Sequence, residues 1–95
     1  MDNERKAGSI KVYVDVVVTF DQDGVMRPTR LKWEDGHVYK IDKVRDIRPA
    51  RAARAGGMGD RYTIVIGNQE SYLFYETLPP TPGKYGRWFV ERRMA

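Results

Sequence analysis

Apolar and polar residues alternate strictly along the first patterned stretch of the chain. Ile10, Val12, Val14, Val16, Val18 and Phe20 fill the even positions, while Lys11, Asp15 and Thr19 fall between them. A period of two with so many β-branched side chains predicts a strand with one buried face. Tyr13 and Val17 make the odd face partly apolar as well, which suits a strand inside the sheet. "DQDG" then turns the chain, and Leu31 and Trp33 carry the alternation into a second strand. Pro28 has no N–H to give to a ladder, so the first half of that strand is expected to hold a bulge or lie at an edge. Asp35-Gly36 between alternating runs is a strong hairpin signal.

Tyr39 and Ile41 open a third strand, but Val44 and Ile47 break the period. A bulge or bend near Asp42-Lys43 would restore it. Further on, "RYTIVIG", "SYLFYET" and "GRWFVER" each read as strands, with "NQE" and the proline-rich "LPPTPGKY" between them. No amphipathic helix can be drawn, and there is no internal repeat. Between the third and fourth strands, "PARAARAG" has Pro49 as a good first helical residue and Gly56 as a good stop, so at most one short helical turn is expected at 49–55. The pattern predicts an all-β fold, an antiparallel six-stranded meander curled into a small SH3-like or partly open barrel. Residues 10–91 would form this single β domain, with residues 1–9 and 92–95 as tails.

Composition narrows the function classes. A chain of 95 residues is one domain, with room for a modest core but not for a deep enzyme cavity as well. There is no cysteine, which suits a reducing cytoplasm. The N-terminus has no apolar run, and Val16-Val17-Val18 is far too short to span a bilayer. A cytoplasmic protein with no membrane role is expected.

Catalytic groups are scarce. His37 is the single histidine, and it sits beside the Asp35-Gly36 turn. Ser9 and Ser71 have no activating motif around them. Neither an enzyme, a metal site, a cofactor nor a small-molecule substrate is expected. "DQDG" resembles the start of a calcium loop, but Lys32 stands where a bidentate glutamate is required. Gly56-x-x-Gly59 resembles a backbone-clamping loop, yet a strand follows where that loop needs a helix. "KYGRWFVE" has the wrong spacing for the aromatic strand of RNA-recognition modules.

The basic stretch survives these exclusions. The net charge is +4, and Arg45, Arg48, Arg51, Arg54 and Arg61 against Asp46 and Asp60 supply most of the excess. Arginine forks suit phosphate or carboxylate, and the alanines between them leave room for a backbone to approach. The chain also has six tyrosines, more than one small interior can hold. Exposed tyrosines beside arginines offer stacking platforms for single-stranded nucleic acid or a peptide. The candidate nucleic-acid-binding residues are therefore Arg45, Arg48, Arg51, Arg54, Arg61 and Tyr62. The alternatives are a protein-interaction module using exposed aromatics and a strand edge, or a structural domain whose arginines are merely solvated.

Taken together, "VYVDVVVTFDQDG", "RPTRLKWEDGHVYKIDKVRDIRPA", "AGGMGDRYTIVIGNQESYLFYE" and "GRWFVE" resemble a family of small bacterial proteins of unknown function, chiefly from Firmicutes such as clostridial relatives. The likeness runs from Val12 to Glu91, with "LPPTPGKY" as a loop extension. It brings no catalytic or binding residue with it. The pattern W-E-D-G-x-x-Y-x-I-D-x-V, Trp33 to Val44, is also similar to small domains that accompany translesion-type DNA polymerases in bacteria. That likeness implies a nucleic-acid setting.

Overall fold

The computed structural model describes residues 9–52 and 57–93. All regular structure in them is β: β1 (Ser9–Phe20), β2 (Met26–Lys32), β3 (Val38–Lys40), β4 (Lys43–Ala52), β5 (Gly57–Ile66), β6 (Gln69–Thr81) and β7 (Lys84–Arg93). They form one seven-stranded sheet in the order β3-β2-β1-β7-β6-β5-β4, with every pairing antiparallel. The all-β, curled, barrel-like class is as expected, but the strand count is seven rather than six.

The difference arises where the hydrophobic period breaks. The third predicted strand is two, β3 and β4, which lie at opposite edges of the sheet although only Ile41 and Asp42 separate them. Those two residues form a corner that touches both halves of the sheet. The Ile41 N–H donates to the Thr29 carbonyl of β2 at 2.9 Å, and the Asp42 N–H donates to the Val65 carbonyl of β5 at 2.8 Å. The curled sheet is thereby tied shut at one end. The Asp42 carboxylate also accepts the Gly67 N–H at 2.8 Å. Gly67 opens the β5–β6 turn with φ 62°, a conformation that costs an L side chain energy.

The helical turn expected at 49–55 is also corrected. Pro49 to Ala52 continue β4, paired in register with Asp60 to Gly57; residues 53–56 lie outside the described residues. Alanine and arginine favour a helix locally, but a ladder extending from Lys43↔Val65 to Ala52↔Gly57 outweighs that preference. β4 is an edge strand, the place where a sheet tolerates a proline. At Pro28 the expected bulge is present: Val17 pairs with Arg30 and Val18 with Pro28, leaving Thr29 as the extra residue. Its hydroxyl donates to the Val17 carbonyl at 3.1 Å.

The concave face holds the core. Leu31, Ile41, Tyr62, Ile64, Leu73 and Trp88 are buried together, and Val14, Val16 and Val18 of β1 pack against them. The alternation seen in the sequence therefore has its expected consequence along the middle of β1, while Ile10 and Phe20 at its ends are exposed. Tyr62 and Tyr75 flank Trp88, each with ring centroids 5.0 Å away. Tyr75 lies where a Cβ on Gly86 would collide with its ring, so the glycine makes room for this aromatic layer.

Candidate nucleic-acid interface

The convex face is built by cross-strand register. Arg48 of β4 pairs with Arg61 of β5, Arg61 with Phe74 of β6, Phe74 with Phe89 of β7, and Phe89 with Tyr13 of β1. Directly paired residues share a face, so these five side chains form one row across five strands. Its centre is aromatic. Phe74 and Phe89 stack at 5.0 Å with their planes 7° apart, and Tyr13 meets Phe89 edge-on at 5.8 Å. Phe89 is only 2% exposed, so this face has a small packed layer of its own.

Cations cover the layer. Lys11 Nζ lies 4.7 Å from the centre of the Phe89 ring, Arg87 lies 4.1 Å over Tyr13, and Arg61 lies 4.4 Å over Tyr72. Glu76 fixes three of these groups. It accepts Lys11 Nζ at 2.8 Å, the Tyr13 hydroxyl at 2.9 Å and Arg87 at 3.2 Å. The Lys11 hydrogen bond, helped by the Tyr13 hydroxyl and the charges of Lys11 and Arg87, holds the Glu76 carboxyl below the usual glutamate range against the opposing effect of burial. Arg61 is anchored differently. Its Nε is buried and has no hydrogen-bond partner among the described residues. The two outer tyrosines remain accessible, Tyr13 at 42% and Tyr72 at 49%.

The residues singled out in the sequence are dispersed by this arrangement. Arg45 sits at the bulge in β4, 3.3 Å from Glu70. Arg48 is held 2.6 Å from Asp46. Arg51 lies opposite Met58 in the ladder, and Arg54 lies outside the described residues. Among the described side chains, Arg48 and Arg61 are direct neighbours on the convex face, and Arg45 reaches the same face through Glu70. Tyr62 is corrected outright: it is 3% exposed, in the core, and its hydroxyl donates to the Met26 carbonyl at 3.3 Å. Burial, with Asp60 and Tyr75 nearby, pushes its phenol above the usual tyrosine range. Being next to Arg61 in sequence places it on the opposite face. Lys11, Tyr13, Tyr72 and Arg87 were not singled out as a group, because the pairings that unite them join distant parts of the chain.

A cleft of about 540 Å³ opens at the end of the barrel that carries the Asp35-Gly36 turn, lined by apolar residues that include Leu31, Trp33, Tyr39 and Ile66 and bordered by Tyr72 and Phe74 of β6. An ion pair between Arg92 and Glu34 joins the end of β7 to the residues following β2. Among the described residues, no three His, Cys, Asp or Glu side chains are grouped to hold a metal ion, and no helix is long and apolar enough to cross a membrane.

No protein-family model matches the chain, and no curated protein or solved structure is significantly similar to it.

Proposed function

We propose that this chain is a small cytoplasmic module that binds single-stranded nucleic acid on the convex face of its sheet. The observation that carries this reading is Arg61 stacked on the half-exposed Tyr72, beside Arg48 and within a strand or two of a packed aromatic row. Every nucleobase has a π-face, so exposed tyrosine rings bind bases with little regard to sequence, while arginine forks take the phosphates. Five cations, Lys11, Arg45, Arg48, Arg61 and Arg87, stand on this face against four carboxylates, Asp46, Glu70, Glu76 and Glu91. The platform is therefore positive overall but not strongly so. Modest affinity and a clear salt dependence follow.

The test is fluorescence anisotropy with labelled dodecathymidylate at low salt. Tyr72→Ala is expected to weaken binding about tenfold or more, the usual range for one stacked base. Arg61→Gln is expected to weaken it and to flatten its salt dependence. No binding by the wild-type protein at low salt, or binding unchanged in both variants, would overturn the proposal.

One observation favours a second reading. The apolar cleft between Trp33, Tyr39 and Ile66 has the size to receive a bulky side chain from a peptide. A protein partner captured from nuclease-treated lysate, and lost on Trp33→Ala but not on Arg61→Gln, would favour it.

A further inference from the structure

We infer that a bound strand continues round the barrel to a second phosphate contact, formed by Arg30, Lys32 and Lys40 on the convex face of β2 and β3. The inference rests on the single-strand reading above and adds the path the strand takes. Register places these cations. Arg30 lies between Val17 of β1 and Lys40 of β3, and Lys32 lies between Asp15 and Val38. Val17 shares its face of β1 with Tyr13, so the cluster and the aromatic row belong to one continuous surface.

Two features distinguish this cluster. First, half of the lysines and arginines with described side chains have a carboxylate partner: Arg27 has Asp21, Arg45 has Glu70, Arg48 has Asp46, Arg87 and Lys11 share Glu76, and Arg92 has Glu34; of the rest, Lys43, Arg61 and Lys84 are scattered over other strands. Arg30, Lys32 and Lys40 pair with none of the described residues, although Asp15 is Lys32's direct neighbour across the strands. Second, Arg30 and Lys40 are like charges placed directly opposite each other, an arrangement that disfavours the free sheet. A phosphate between them would turn that repulsion into two charge-assisted contacts. Val17 and Val38, 58% and 59% exposed, complete the patch with apolar surface for sugar or base.

The spacing fits an oligonucleotide. From Arg61 on β5 to Arg30 on β2 is four strand steps, and Arg30's partner Val17 lies four residues beyond Tyr13, which shares Arg61's row; with about 4.8 Å per step and about 3.3 Å per residue the diagonal is roughly 23 Å. At roughly 3.4 Å per stacked nucleotide, that is about seven nucleotides. A strand of this length would run obliquely across the β-strands, with Tyr72 near its Arg61 end and Tyr13 beside its path.

The experiment compares trithymidylate with dodecathymidylate on the wild type, on the double variant Arg30→Gln/Lys40→Gln, and on Tyr72→Ala. The double variant is expected to bind the dodecamer about tenfold more weakly. Its log–log salt slope should be shallower by about 1.4, the value for two phosphate contacts on a single strand. Trimer binding, read from NMR shifts of the tyrosine rings, should be unchanged. Its thermal midpoint should not fall, since the substitutions remove a repulsion. If the dodecamer is unaffected while Tyr72→Ala still weakens it, the second contact is refuted and the single-strand reading stands. Equal weakening of both lengths would also refute it, as an effect of overall charge. If inorganic polyphosphate binds as well as the dodecamer, and Tyr72→Ala changes neither, the single-strand reading fails and takes the strand path with it.

Discussion

The Tyr13 hydroxyl on β1 donates to the Glu76 carboxylate on β6 at 2.9 Å, across the intervening β7. Lys11 and Arg87 complete the contact from the same side. Because Glu76 titrates below the usual glutamate range in the folded protein, its contribution is fully present above the unfolded value, roughly pH 4.3. It is lost as pH falls through the lower folded-state value. Glu76→Gln should therefore lower stability by about 1 kcal/mol at neutral pH, the usual worth of a partly exposed charged hydrogen bond. In urea titrations from pH 7 to pH 3, the gap between wild type and variant should narrow only at the acid end.

Asp42 holds the corner with both its backbone and its side chain. Asp42→Ala leaves the Gly67 N–H without its acceptor and should cost about 1–2 kcal/mol. Asp42→Asn keeps an oxygen in place and should restore most of that, as read from the midpoint of urea denaturation.

The convex layer should prove nearly as costly to disrupt as the core. Leu73 is fully buried on one face of the sheet and Phe89 almost so on the other. Leu73→Ala and Phe89→Ala should each destabilise by about 3–4 kcal/mol. Phe20→Ala, at an exposed strand end, should stay within about 0.5 kcal/mol of wild type. Thermal unfolding of the three variants measures the difference.

Tyr62→Phe removes only the long hydroxyl contact to Met26. It should lower stability by about 1 kcal/mol or less and leave oligonucleotide affinity unchanged. A large loss of binding in this variant would contradict the placement of Tyr62 in the core.

Much of the architecture was legible in local pattern, because period-two alternation is set by the chain itself. β1, the bulge at Pro28 and the antiparallel hairpins follow from it. The break at Val44 was visible too, but a bend and a crossing from one sheet edge to the other disturb the period in the same way. Only long-range pairing distinguishes them. The misreading at Pro49–Ala52 has a similar cause, since helix propensity is local and the β4–β5 ladder that overrides it is a matter of tertiary pairing. Tyr62 could have been placed correctly: Ile64 and Ile66 are in phase with it, and Arg61 is not. The Lys11–Tyr13–Glu76–Arg87 group could not. It depends on β1 lying beside β7, and no local signal encodes that neighbour.

The pairing of Ser9 with Arg93 gives the corner at Ile41–Asp42 a further meaning. Every other pair of consecutive strands is adjacent in the sheet, and the first and last strands close the gap that β3 and β4 leave. The chain is thus a ring of hairpins opened at an arbitrary point. A circular permutant that joins residue 93 to residue 9 through a short linker, and begins at Asp42, would read β4-β5-β6-β7-β1-β2-β3. That is a plain up-and-down meander in which only neighbouring strands are paired. Its lower contact order should let it fold faster than the natural order while keeping the same core and the same convex face.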